Sequence, residues 1–216
     1  MIRPALTALL MLTLAGCDAY TGPVGQDPVP VSAFGAVTAT PAASGAFSGI
    51  AAADTTVVAD ASGNGYAFAY ATANAADFGG GTGQANLAVA GVLPGTDLGT
   101  APVVGTATMT GSYSMVVVTN ASTATDPSTW TVTRPTGDVS ATVNFATGQL
   151  TGTSPDRTLT LSADAAAGFA DGFAGEVSYD GISGTFDGVI GPDDAVAALA
   201  GGAGGTFYAG GFAIGR

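Results

Sequence analysis

The 216-residue chain holds few side chains able to do covalent chemistry: it has no His, no Lys and one Cys, Cys17. The Ser-His, Cys-His and Ser-Lys pairings that activate a nucleophile are therefore missing from the sequence. Zinc and haem sites of the usual His or Cys type are excluded for the same reason. Two chemistries remain, a carboxylate pair of the glycosidase kind or a hard cation held by oxygen. Asp193-Asp194, and Asp180 with Asp187, are the pairs to weigh among 15 Asp and the single Glu, Glu176. So many Asp must produce pairs by chance, and solvated loop carboxylates are the reading taken. The expectation is a chain with no catalytic residue, no cofactor and no metal site.

Two loops resemble ligand loops in spacing alone. Asp60, Ser62, Asn64 and Gly65 fall at positions 1, 3, 5 and 6 of a calcium loop. Position 12 is Ala71 rather than Glu and no helices flank it, so a turn is expected. Gly79-Gly80-Gly81-Thr82-Gly83 lacks the lysine of a phosphate loop and reads as a connection.

Cys17 is different. Arg3 is followed by the apolar run Ala5 to Leu14, too short to span a bilayer as a helix and suited to a signal peptide. The run ends in Leu14-Ala15-Gly16-Cys17, which resembles the lipobox of bacterial lipoproteins. Small residues there fit a narrow peptidase site, and the thiol takes the diacylglyceryl group. An exported protein with one unpaired thiol would carry a reactive group, and lipidation removes it. One acyl chain anchors only marginally; the triacylated cysteine implied by the lipobox meets that need. Cys17 is thus the expected lipidation site and the membrane the expected partner.

The formal net charge is -12, with all four basic residues Arg. Loss of Arg3 with the signal peptide makes it about one unit more negative. Such a surface repels phosphate backbones, which argues against nucleic acid, and it disfavours flat adsorption on anionic lipid.

The elements that position these residues read as β. Thr21 to Val31 (TGPVGQDPVPV) is a Pro/Gly tether. Beyond it, short Thr, Val, Ala, Phe and Tyr runs are broken by Gly, Asn and Asp, the pattern of an all-β sandwich or barrel. Thr55 to Ala59 and Gly65 to Ala71 form a hairpin, with Tyr66, Phe68 and Tyr70 on one face and Ala67, Ala69 and Ala71 on the other. Pro102 to Thr119 is one strand bent at Gly111, or two strands. Thr129 to Thr133 carries Trp130, the only tryptophan. Val139 to Phe145 and Gln149 to Thr153 make a hairpin, and Arg157 to Ser162 alternates. Phe173 to Tyr179 and Ile182 to Ile190 are joined by Asp180-Gly181, a strong type I′ signal. That turn sets Tyr179 against Ile182, Val177 against Gly184, Gly175 against Phe186 and Phe173 against Gly188. Glycine opposite a large residue suits a tightly curved sheet. Asp193 to Leu199, after Pro192, is the best place for one or two helical turns, and Gly205 to Gly215 is the closing strand.

In order, VSATVNF (139–145), QLTGT (149–153), GTFDG (184–188), GPDDA (191–195) and GGTF (204–207) resemble the C-terminal β-barrel of transferrin-binding-protein-B-like lipoproteins, which include factor-H-binding-protein-like members. The resemblance covers roughly residues 101 to 216. It implies an eight-stranded antiparallel barrel packed on another β layer and carried on the outer membrane by a lipid anchor. It also implies binding of proteins through loops, often beside an outer-membrane receptor, in iron or haem acquisition. The chain departs from the family in lacking lysine and in its short loops, and residues 33 to 100 do not visibly match the transferrin-gripping lobe. No ligand-binding residue carries over. Asp18 is a residue type that keeps lipoproteins on the inner membrane of enteric bacteria, but the outer membrane remains the expectation.

The expected organisation is 1–16 signal peptide, 17–32 lipidated tether, 33–100 N-terminal β-rich region and 101–216 barrel. The expected function is a non-catalytic binding lipoprotein. The alternatives are an accessory envelope lipoprotein without a soluble ligand, and a transmembrane barrel.

Overall fold

The computed structural model describes residues 33–79, 83–121, 129–164 and 172–216. The expected signal peptide, Cys17 and tether lie outside the described residues, as do residues 80–82 of the glycine run and 122–128 before Trp130.

The first sheet holds β1 (Ala33–Thr38), β2 (Thr55–Ala59), β3 (Gly65–Asn74) and β4 (Gln84–Val92) in the order β1-β4-β3-β2, with β1 parallel to β4. Short 3-10 turns precede β2 (Ala52–Asp54) and follow β3 (Ala75–Phe78). The second sheet holds β5 (Thr106–Thr119), β6 (Thr131–Thr133), β7 (Thr136–Asn144), β8 (Gln149–Thr153), β9 (Leu159–Asp164), β10 (Phe173–Tyr179), β11 (Ile182–Ile190), β12 (Asp194–Ala203) and β13 (Thr206–Gly215). Pairing of β13 with β5 closes β5 and β7 to β13 into an eight-stranded antiparallel barrel, with β6 a short addition along the end of β5. Closure removes the unpaired edges that invite wrong pairing.

Alternation along each strand decides what the barrel encloses. Met109, Met115, Leu150, Leu159, Leu161, Val177, Phe186, Leu199, Tyr208 and Phe212 point inward and are buried. Phe173, Phe186 and Phe212 meet with ring centroids 5.6 to 6.4 Å apart. Tyr113, Tyr179 and Tyr208 meet edge-on or tilted across the other end, and the Tyr208 hydroxyl donates to the Ile182 carbonyl at 3.0 Å. The lumen is a packed core. Outward positions on β7 to β11, including Ser140, Thr142, Thr151, Thr160, Ser162, Glu176 and Thr185, are exposed and polar. A bilayer-spanning barrel needs the reverse, an apolar exterior, so this polarity excludes the transmembrane reading. Among the described residues no helix is long and apolar enough to cross a membrane.

The first sheet lies over the remaining arc, β12, β13 and β5. Tyr66, Phe68, Ala88 and Ala90 pack on Val116, Val118, Val196, Ala198 and Ala209. The ring of Tyr66 lies so close over Gly211 that a Cβ there would come within 2.5 Å of it. Phe34, Trp130 and Phe207 seal one end of this seam, with centroids 5.4 to 6.3 Å apart. On the sheet's far side Ala67, Ala69 and Val89 are covered by Phe47 and Ile50. The tyrosine and alanine faces of β3 therefore both lie in apolar cores.

The β10–β11 hairpin has the register expected from its turn, from Tyr179–Ile182 to Phe173–Gly188, with Asp180 and Gly181 at φ 50° and 78°. Its glycines also let neighbouring backbone approach: a Cβ at Gly175 or Gly188 would strike the carbonyl of Ser162 or Val196. Pro102 to Thr119 yields a single strand, β5, paired with β7 on one side and β13 on the other.

One element differs in kind. The helical turns expected over 193–199 do not form; Asp194–Ala203 is β12, hydrogen-bonded to β11 and β13 along its length. Ala195, Ala197 and Leu199 face the lumen, while Val196, Ala198 and Ala200 face the first sheet. A strand buried on both faces shows no polar alternation, and its alanines admit helix equally well on propensity.

Candidate functional site

The carboxylate pairs named from the sequence are not brought together for chemistry. Asp180 sits in the β10–β11 turn and Asp187 five residues into β11 from Ile182, roughly 17 Å along the strand. That exceeds the carboxylate spacing glycosidases use. Asp193 takes a structural part: Arg216 approaches it at 3.6 Å, and the Arg216 amide donates to the Asp193 carbonyl at 2.9 Å. The Arg216 guanidinium also stands 5.9 Å from the Phe145 ring centroid. Asp194 opens β12 opposite Gly215.

The Asp60 loop is a turn. The Asp60 Oδ1 accepts the amides of Ser62 and Asn64 at 2.7 and 2.9 Å, and Oδ2 accepts the Asn64 side-chain amide at 3.2 Å. The Asn64 amide above all holds the carboxyl below its usual range. The Asn64 side-chain oxygen in turn accepts from the Asp97 amide at 3.0 Å, tying this hairpin to the segment that leaves the first sheet. Both oxygens of Asp60 are thus directed to the loop's own donors. Among the described residues no group of three or more His, Cys, Asp or Glu is placed to hold a metal ion.

A different carboxylate pair is assembled by the fold. On the uncovered wall, the β10–β11 register puts Ala174 beside Asp187, and one step beyond the Gly175–Ala163 pair Asp164 falls on the other side of Ala174. Asp164, Ala174 and Asp187 form one outward row across β9, β10 and β11, with Gln149 of β8 next in line. Two strand spacings separate the carboxylates, about 10 Å between Cα atoms. The row lies in an open groove of about 550 Å³ whose apolar side is Val92 and Val189. Val92 ends β4, so the groove follows the crease between the first sheet and the barrel. Its walls partly desolvate Asp187 and push its carboxyl above the ordinary value.

Beyond the groove the same wall is a field of hydroxyls. Thr108, Thr142, Thr151, Ser162, Glu176 and Thr185 form one row across six strands, and Thr110, Ser140, Thr153, Thr160, Ser178 and Ser183 the next. Chemically, the groove offers a small notch between two anions with apolar contact alongside. This suits an ammonium or guanidinium group carried on an alkyl stem. Sequence reasoning missed Asp164 with Asp187 because β10 stands between them. The available signal was the Asp180-Gly181 turn, which fixes Asp187 beside Ala174.

No protein-family model matches the sequence, and no curated protein matches it. Among solved structures, a mutant transferrin binding protein B from Haemophilus parasuis aligns with TM-score 0.41 and 12% identity, over 75% of this chain and 36% of that one. Transferrin binding protein B from serogroup B Neisseria meningitidis aligns with TM-score 0.41 and 14% identity, over 77% and 36% of the two chains. A mutant from Actinobacillus pleuropneumoniae aligns with TM-score 0.44 and 14% identity, over 74% and 80%. The chain thus spans little more than a third of the length of the first two.

Proposed function

We propose that the protein is a non-catalytic binding lipoprotein of the outer membrane, anchored through lipid on Cys17, that meets its partner with the outside of its barrel. The observation that carries the mode of binding is the polarity of the barrel. Its lumen is filled by apolar side chains, while the uncovered wall presents the Asp164–Ala174–Asp187 row in a groove. A lumen of this kind does not serve as a carrier cavity, so recognition falls to the wall and the loops. Two anions beside an apolar strip favour a basic protein segment as the ligand, in line with the acidity of the chain. Iron or haem acquisition, the role implied by the family resemblance, places that segment on a carrier protein or an outer-membrane receptor.

Capture by the purified mature protein tests the reading. Ala174→Trp fills the notch and should abolish capture of any specific partner, while Thr151→Trp on the hydroxyl field should leave it intact. Equal capture by both variants would remove the groove from the function. Specific capture of nothing by the native protein would favour the accessory envelope role. Anchoring has its own test: Cys17→Ala should move the protein from the membrane to the soluble fraction and end incorporation of labelled fatty acid.

A further inference from the structure

Proteases of trypsin-like specificity cut after Lys or Arg, do not cut before proline, and require the substrate to lie extended in their cleft. The chain has no Lys and four Arg. Arg3 and Arg134 are each followed by proline. Between residues 1 and 216, Arg157–Thr158, in the β8–β9 turn, is the one susceptible bond.

The fold withholds that bond through its backbone. Ser154-Pro155-Asp156-Arg157 is a tight turn closed by the Arg157 amide donating to the Ser154 carbonyl at 2.9 Å, with Pro155 where its fixed φ favours the turn. Arg157 lies at φ 61°, in the left-handed region and far from an extended strand. The Thr158 amide donates to Asp156 Oδ1 at 3.0 Å, and the Thr158 carbonyl accepts the Asp180 amide at 2.8 Å from the next hairpin. The Leu159 amide donates to Ser154 Oγ at 3.0 Å. A protease binds its substrate as an added strand, through these same backbone groups. The Arg157 side chain, by contrast, is exposed. The group such an enzyme recognises is offered, and the bond it must cut is not.

We propose that Arg157–Thr158 is a latent cleavage site for trypsin-like proteases, opened only when the β8–β9 turn unlocks, and that the folded chain otherwise resists this class of enzyme. Cleavage consumes one water and leaves a carboxylate on Arg157 and an ammonium on Thr158. The hydroxyl-rich wall around the turn supplies no alternative site, since it carries neither Lys nor Arg.

The test uses purified full-length lipoprotein in detergent, treated with trypsin before and after unfolding in urea. The native protein should be cut about 100-fold or more slowly than the unfolded chain, because cleavage waits on opening. The unfolded chain should be cut at this bond, exposing a new amino terminus at Thr158, and Arg157→Gln should end that cleavage in both states. Asp156→Ala removes the acceptor for the Thr158 amide and should speed native cleavage about tenfold or more, with the thermal midpoint shifted by only a few degrees. If Asp156→Ala fails to fold, Ser154→Ala loosens the same turn and should act alike. Native cleavage at Arg157 as fast as in urea, or folded turn variants no more susceptible than the parent, would overturn the proposal.

Discussion

The two arcs of the barrel obey different sequence rules although they form one continuous sheet. On the uncovered arc β9 alternates strictly, with Leu159, Leu161 and Ala163 buried and Thr160, Ser162 and Asp164 exposed. On the covered arc β12 is buried from Ala195 to Ala200 without interruption. Both arcs share a lumen; what differs is the second neighbour, water in one case and the first sheet in the other. Alternation therefore reports the contrast between two environments rather than the strand itself. The covered arc also pays for its close approach in side-chain size: Ala198, Ala200, Ala209 and Gly211 are small where Tyr66 and Phe68 lie on them.

The same charge placed on each arc should have very different consequences. Ala198→Asp puts an unpaired carboxylate at a position with 0% exposure and should cost about 3–5 kcal/mol or more. Urea denaturation should report that loss, and increased amide exchange in β3 and β4 should show the first sheet loosening. Phe186→Ala tests the shared lumen, which both arcs need equally; removing this buried ring should lower stability by about 3–5 kcal/mol. A smaller effect is expected at the mouth, where Tyr208→Phe deletes the bond to the Ile182 carbonyl and should cost about 1 kcal/mol by the same measurement. Thr151→Asp is the counterpart of the first substitution on the uncovered arc and should change stability by no more than about 0.5 kcal/mol.

The smallest effect is a titration. The Ser154 hydroxyl and the Thr158 amide hold the Asp156 carboxyl down to about 2. A carboxyl lowered in the fold supports it above its unfolded value of about 3.9, and that support fades as pH falls through the folded value. An NMR titration should find Asp156 protonating near pH 2, and Ser154→Ala should raise that midpoint. An unshifted midpoint in Ser154→Ala would remove the hydroxyl as the cause.

Legibility followed the same division. The β10–β11 hairpin was readable to the residue, since Asp180-Gly181 fixes a two-residue turn and every pairing follows from it. The β7–β8 and β2–β3 hairpins were readable from alternation and turn residues. β12 was not, because burial on both faces erased the polar positions that distinguish a strand from a helix. The groove was not legible either. Asp164 and Asp187 are brought into one row by β10 between them, a relation no local pattern carries.

The sequence by itself determined that no His or Lys is present among these residues to activate a nucleophile, that most of the segments are strands, and how the β2–β3, β7–β8 and β10–β11 hairpins pair, because composition and turn geometry are local properties. The tertiary structure alone decided which arc is covered, that β12 is a strand, that the lumen is packed, and which carboxylates share a wall. Those outcomes depend on which surfaces exclude water from one another, and that is settled only when the first sheet closes over the barrel.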